Sequence, residues 1–184
     1  MVDIETTGTS PDDNAIIQIA AVRFNPFTGT IDTANMFNRC LGIPPQRFWD
    51  EETRSWWMKQ NKDILMSIFA RMEDPAVVMK DFYDWAGGAY CEECFVAKPL
   101  SFDFPFVQSY FRRFGYPMPF NHSKGRDLRS FLAGLSFPDA PFDDRSVPVD
   151  GVGAHDAIFD VLHQIKVIFH ALNARKTRAP QVIG

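Results

Sequence analysis

The sequence contains no run of eighteen apolar residues, and therefore no segment with the length and polarity of a helix that crosses a bilayer. Cysteine is scarce. There are three in 184 residues, an odd number that argues against a disulfide framework and fits a reducing compartment. Cys91 and Cys94 form a CxxC, but Cys40 is the only further thiol, and a zinc site is not expected there. Excess positive charge is also missing. The 19 Lys and Arg fall short of the 23 Asp and Glu, for a formal net charge of −4. That balance excludes nucleic-acid binding by bulk positive charge, though not by local basic patches. The first residues, acidic from Asp3 and Glu5, include no apolar core of a secretory leader. A cytoplasmic protein with no membrane segment is expected.

What is present is a chain of single-domain length, 46% hydrophobic and 23% charged, as in folded globular proteins. Eighteen Phe and four Trp predict a ring-rich core and ring-rich clefts. Met1–Glu5 leads into the turn signal Thr6-Thr7-Gly8. Ala15–Phe24 is an apolar stretch of strand length between Pro11-Asp12-Asp13 and Asn25-Pro26. Thr28-Gly29 reads as a hairpin turn and Thr30–Asn38 as the returning strand. Asp50 reads as the cap of a helix that opens with Glu51 and Glu52 and carries Trp56, Trp57 and Gln60. Asp74-Pro75 opens another, with Val78, Phe82 and Trp85 on one side. Phe95–Ala97 is a short strand, Asp103–Phe114 a helix closed by Gly115, and Arg126–Leu135 a further helix. Pro138–Gly151, rich in Pro and Asp, is expected to be a long mobile loop. Ile158, Val161, Leu162, Ile165, Ile168, Phe169 and Leu172 recur at three- and four-residue spacing, which predicts an amphipathic helix of about five turns. This order of elements indicates an α/β or α+β fold around a mixed sheet.

Three places carry chemistry. Asp3 and Glu5, two apart in a strand, project from one face. Carboxylates so close are costly unless a cation neutralises them, although a solvated strand end would tolerate the same pair. His155 and Asp160 sit at the start of the last helix, where five residues at about 100° each separate them by roughly 140°. A histidine in a frayed first turn, after Gly151 and Gly153, can swing toward whatever Asp160 binds. Asp156 fits the simpler role of complementing the helix dipole. Asp103 lies among aromatics, where an unpaired carboxylate is expensive. Either it or Ser101 is suited to cap the helix.

Taken together and in this order, these residues resemble the motifs of the DnaQ-like (DEDD) 3′–5′ exonuclease superfamily. Asp3 and Glu5 in Asp-Ile-Glu-Thr-Thr-Gly match the first motif and Asp103 the second. His155 and Asp160 match the third in the HxAxxD form that marks the DEDDh subgroup. Trp56-Trp57 with Gln60, and Arg126-Asp127-Leu128-Arg129, are similar to an exoribonuclease-like branch found in phages and actinobacteria. The resemblance runs from Asp3 to about Leu172. It implies an exonuclease domain over residues 1–174 and a basic C-terminal tail over 175–184. The fold it implies is α/β and RNase H-like, with a central mixed five-stranded sheet flanked by helices.

The same resemblance implies two divalent ions, Mg²⁺ or Mn²⁺, held by Asp3, Glu5, Asp103 and Asp160. Asp3 would bridge them, Glu5 and Asp160 would complete the site on the nucleophile side, and Asp103 would support the second ion through water. His155 would take a proton from the attacking water, and the product would be a 5′ nucleoside monophosphate. Single-stranded RNA or DNA 3′ ends are the expected partners, with RNA placed ahead of DNA. That discrimination rests on contacts to one 2′-hydroxyl, which sequence does not show. For substrate contacts, Thr6 and Thr7 offer backbone amides to the terminal ribose. Trp57 and Phe102, ahead of Trp56 and Phe106, offer rings to the bases, and Arg126 offers a charge. A homodimer is compatible with the aromatic density.

The alternative is a catalytically weak nucleic-acid-binding or polymerase-associated module that keeps the fold. Such a module would be marked by loss of a motif residue. Only Met1 and Val2 precede Asp3, so upstream residues are expected to lengthen the first strand and raise stability. Lys and Arg concentrate between Asp103 and Asp127 and after Asp160. Setting aside the four motif carboxylates leaves 19 acids against 19 bases. Nucleic-acid affinity is therefore expected to depend on the metal.

Overall fold

The computed structural model describes residues 1–60, 62–137, 142–148 and 155–178. Its organising strand is β2 (Ile16–Ala21), all six residues of which are buried. A strand covered on both faces reads as a near-continuous apolar run, as this one does apart from Gln18. It pairs antiparallel with β1 (Val2–Thr6) on one side and β5 (Phe37–Leu41) on the other. β5 in turn pairs parallel with β6 (Met72–Glu73). Between β2 and β5 a small hairpin stands apart, made of β3 (Phe24–Asn25) and β4 (Thr30–Ile31), with Gly29 in its turn at φ +72°.

The single returning strand expected over Thr30–Asn38 is therefore two. Asp32 separates them, because its carboxylate accepts from the backbone N–H and side-chain amide of Asn35 at 3.2 and 3.1 Å. An Asx turn of this kind competes with the ladder.

β7 (Phe95–Ala97) and β8 (Gly125–Asp127) form a parallel pair, and β7 lies beside β1 with no ladder assigned between them. The sheet is mixed, as expected, but divides into a four-stranded part and this pair. One cause is visible on the β1 edge. The Ile4 N–H donates to the Asp103 carboxylate at 3.1 Å, a position a neighbouring strand would otherwise use.

Six helices flank the sheet among the described residues: α1 (Glu51–Gln60), α2 (Lys62–Ala70), α3 (Pro75–Trp85), α4 (Leu100–Arg113), α5 (Leu128–Ser136) and α6 (Ala157–Arg178). Asp50 and Asp74 cap α1 and α3, accepting from the N–H groups of Thr53 and Ala76. α4 starts three residues before Asp103, and neither Ser101 nor Asp103 caps it. Asp127 takes that role from a distance. One of its oxygens accepts from the Leu100 N–H at 2.8 Å, and the other caps α5 through Ser130. The stretch expected as one helix from Arg126 thus opens as β8 and turns helical only at Leu128.

Alternation along β1 sends Val2 and Ile4 into a cluster with Phe82, Phe106, Tyr110 and Phe111 of α3 and α4. Asp3 and Glu5 point the opposite way, toward α6. There Val161, Ile165 and Ile168 cover Ala20 and Val22. Trp57, Leu65 and Ile68 pack with Ile17 in a third cluster. No described helix is long and apolar enough to cross a membrane. Of the loop expected over 138–151, residues 138–141 and 149–151 lie outside the described residues. The remainder includes a short 3₁₀ turn at Asp144–Ser146, tied to Lys98 by an ion pair with Asp144. α6 continues into the expected tail as far as Arg178, and 179–184 lie outside the described residues.

Candidate active site

Asp3 and Glu5 reach one cleft because β1 is a regular strand at their positions, paired to β2 at Ala20 and Gln18. Asp160 comes from the first turn of α6, and His155 immediately precedes that helix. Ligand atoms of Glu5, His155 and Asp160 lie within 4.8 Å of one another. Asp3 is tied to the same helix one turn on, where the Gln164 Nε2 donates to its carboxylate at 2.8 Å. Asp103 arrives from α4 and is only 2% exposed. Its bond to the Ile4 N–H places it beside the peptide between Asp3 and Glu5.

His155 adopts φ +69°, a left-handed conformation that costs a non-glycine residue about 1–2 kcal/mol. Its N–H donates to the Asp160 carboxylate at 3.2 Å. The Trp56 ring meets its imidazole edge-on, with centroids 4.6 Å apart. Strain of this kind persists where several contacts over-determine it, as they do here.

The electrostatics are those of a crowded, buried acidic site. Burial, then repulsion from Asp103 and Asp160, holds the Asp3 carboxyl well above the usual range. Burial followed by Asp3, Asp160 and Asp103 does the same to Glu5. Burial pushes Asp103 up to about 7 against the pull of the Ile4 N–H, and raises Asp160 against the bond from His155. None of the ion pairs among the described residues involves any of the four. Gln164, whose nitrogen holds Asp3, also leaves its Oε1 buried and without a donor. Lys98, the weakest influence on Asp3, is itself paired with Asp144, and carboxylates outside any ion pair, beside an unused amide oxygen, are the donor set that hard divalent cations take.

Not every expected contact is in this cleft. The Thr7 hydroxyl donates to the Phe48 carbonyl at 2.7 Å and accepts from the Ala15 N–H, while its own N–H donates to the Ala15 carbonyl. Thr7 is spent on closing the β1–β2 loop and has no donor left for a ribose. Thr6 is buried, with its hydroxyl on the Gly8 carbonyl at 2.7 Å. Trp57 is 1% exposed and its Nε1 donates to the Thr6 carbonyl at 3.2 Å, so its ring is core and not a stacking surface. Trp56, 37% exposed against His155, has the accessible ring instead. Phe102 is half-buried on α4 beside Asp103, its ring 5.1 Å from that of Phe106.

Arg126 is not brought to the carboxylates. It donates to the Ser123 and Gly125 carbonyls and lines a cavity of about 720 Å³ with Met1, Val22 and Trp85, by the opposite end of β1. Two glutamines, Gln18 and Gln164, escaped the sequence reading although each left a signal. Gln18 is a lone amide in an apolar strand, which demands partners. Gln164 stands four residues after Asp160, on the same helical face.

A mixed sheet flanked by helices, with Asp3 and Glu5 on its first strand, Asp103 on α4 and Asp160 at the head of its last helix, defines the class: an α/β domain of RNase H-like fold. The chain belongs to the Rv2179c-like 3′–5′ exoribonuclease domain family, whose model matches residues 1–172. Among solved structures it is similar to the zinc-bound complex of Escherichia coli exonuclease I with single-stranded DNA, at 17% identity and a TM-score of 0.71 over 96% of this chain and 40% of that one. It is also similar to cell-death related nuclease 4, at 19% identity and a TM-score of 0.63 over 94% of this chain and 62% of that one. A third likeness is the Mg²⁺- and Mn²⁺-bound form of Schizosaccharomyces pombe Pop2p, at 14% identity and a TM-score of 0.63 over 92% and 80%. At these identities the likeness is one of fold, and the chain spans less than two thirds of the first two proteins. No curated protein matches it by sequence.

Proposed function

We propose that this domain shortens single-stranded nucleic acid from its 3′ end, RNA ahead of DNA, releasing 5′ nucleoside monophosphates. The observation that supports the reading is that Asp3, Glu5, Asp103 and Asp160 lie close enough to raise one another's carboxyls, with no ion pair to any of the four among the described residues and with His155 beside Glu5 and Asp160. These four carboxylates would hold two Mg²⁺ or Mn²⁺ ions. When bound, such ions polarise the scissile phosphate and stabilise the attacking and leaving oxygens of an in-line displacement.

The chain's own residues supply the rest. His155 takes the proton of the attacking water, its backbone anchored on Asp160 and its ring braced by Trp56. Gln164 fixes the rotamer of Asp3. Trp56, exposed against His155, and Phe102, half-buried next to Asp103 in sequence, stack on the terminal bases. Such stacking accepts any base. Thr6 shapes the end of the strand, its hydroxyl bound to the Gly8 carbonyl.

The test is incubation of end-labelled RNA and DNA oligonucleotides with Mg²⁺ or Mn²⁺, comparing wild type with Asp3→Ala and His155→Ala. Shortening from the 3′ end that both substitutions abolish is expected. No shortening by wild type, or equal shortening by the variants, would return the domain to a non-catalytic module.

A further inference from the structure

Gln18 is the only polar side chain of β2 and is fully buried in the middle of the sheet. Its amide is engaged at both ends. The Nε2 donates to Asp156 Oδ1 at 2.8 Å and to Asn38 Oδ1 at 3.0 Å. The Oε1 accepts from the Ala157 N–H at 3.2 Å. Chemistry fixes this orientation: a carboxylate only accepts and a backbone N–H only donates, so the amide does not flip. Asp156 and Ala157 are the two residues that follow His155. The Asp156 carbonyl receives the first helical bonds of α6, from Phe159 and Asp160 at 2.9 and 3.1 Å.

A single buried amide on the central strand therefore grips both the cap residue and the first residue of the helix that presents His155. It does so beside a peptide held at φ +69°. We propose that Gln18 is a positioning residue. By locking Asp156 and Ala157 to β2, it sets the direction from which the His155 imidazole meets Glu5 and Asp160. Gln18 itself touches neither substrate nor reacting atoms, and the inference rests on the exonuclease reading for its kinetic readout.

A glutamate at this position would face the Asp156 carboxylate with a second one. A methionine would fill the space and make none of the three bonds. The charge pattern can also be exchanged. Gln18→Glu with Asp156→Asn puts an acceptor on the strand and a donor on the cap, and gives up only the 3.4 Å bond that the same Asp156 oxygen accepts from the Ile158 N–H.

The test compares Gln18→Glu, Gln18→Met, Asp156→Asn and the Gln18→Glu/Asp156→Asn pair by steady-state kinetics on a single-stranded oligonucleotide, with melting temperatures as the folding control. The two Gln18 single variants are expected to lose at least tenfold in kcat with KM within twofold, while still folded at the assay temperature. The pair should recover to within threefold of wild type. Unchanged kcat in the folded single variants, or no recovery in the folded pair, overturns the proposal. A second readout is independent of activity. Amide hydrogen exchange at His155 and Ala157 should quicken at least tenfold in Gln18→Met, and unchanged exchange there also overturns it. An inactive wild type would refute the exonuclease reading alone and leave the exchange measurement to decide on Gln18.

Discussion

The Asp103 carboxylate accepts a hydrogen bond from the backbone N–H of Ile4, a residue 99 positions earlier, at 3.1 Å. Ile4 lies between Asp3 and Glu5, so this one bond sets the second motif against the first. It also satisfies an edge donor of β1 that would otherwise be buried without a partner. Two neutral substitutions separate these duties. Asp103→Asn keeps an oxygen for Ile4, whereas Asp103→Ala does not. Both should abolish exonuclease activity, and the alanine variant should be less stable than the asparagine variant by about 1–3 kcal/mol in urea unfolding. Equal stability of the two would show that the bond carries no weight.

The raised carboxyls make metal-free stability depend on pH in an unusual direction. Asp103 titrates near 3.8 when unfolded and at about 7 when folded, so over that interval the folded state binds the extra proton. Its contribution is fully present below pH 3.8 and lost as pH rises through about 7. Asp3 and Glu5 are displaced in the same direction. In chelator the melting temperature should fall between pH 5 and pH 8, on the order of 5 °C. Added Mn²⁺ should flatten the curve, and Asp103→Asn should reduce the metal-free slope. A metal-free melting temperature that climbs over this range would contradict the burial argument.

Trp56 and Trp57 are neighbours on α1 with opposite duties, one ring on His155 and the other in the core with Leu65 and Ile68. Trp57→Ala should cost about 3–5 kcal/mol of stability, as for other large-to-small core changes. Trp56→Ala should leave the melting temperature within a degree or two and raise KM about tenfold, within the range of one lost stacking contact. Reversed effects would mean that the stacking surface lies elsewhere.

The contrast between these two tryptophans shows what sequence can carry. Asp3 with Glu5, and His155 with Asp160, were legible because the chemistry demands fixed residue types at fixed local spacing. Which tryptophan is buried depends on how α1 rolls onto β2 and α2. The mostly polar pattern of Glu51–Gln60 does not encode that roll. The cap of α4 was illegible for a related reason: Asp127 supplies it from 27 residues away, while the local candidates Ser101 and Asp103 look equally suitable. The duty of Thr7 is hidden in the sequence because its hydroxyl and amide are consumed by Phe48 and Ala15, partners that only the closed loop brings near.

Arg126 gives the sharpest test of the site's extent. Its guanidinium donates to local carbonyls and borders a cavity shared with Met1, Val22, Trp85 and Phe131, away from the acidic cleft. Alternation in β8 explains the placement, since the next residue, Asp127, turns inward to cap α4 and α5. A substrate bound by its 3′ end across Trp56 and Phe102 has no reason to reach it. Arg126→Ala should therefore keep kcat/KM within twofold of wild type on short oligonucleotides, with melting temperature unchanged. A tenfold loss at unchanged stability would mean that nucleic acid follows the far side of the sheet, and would redraw the binding path around that cavity.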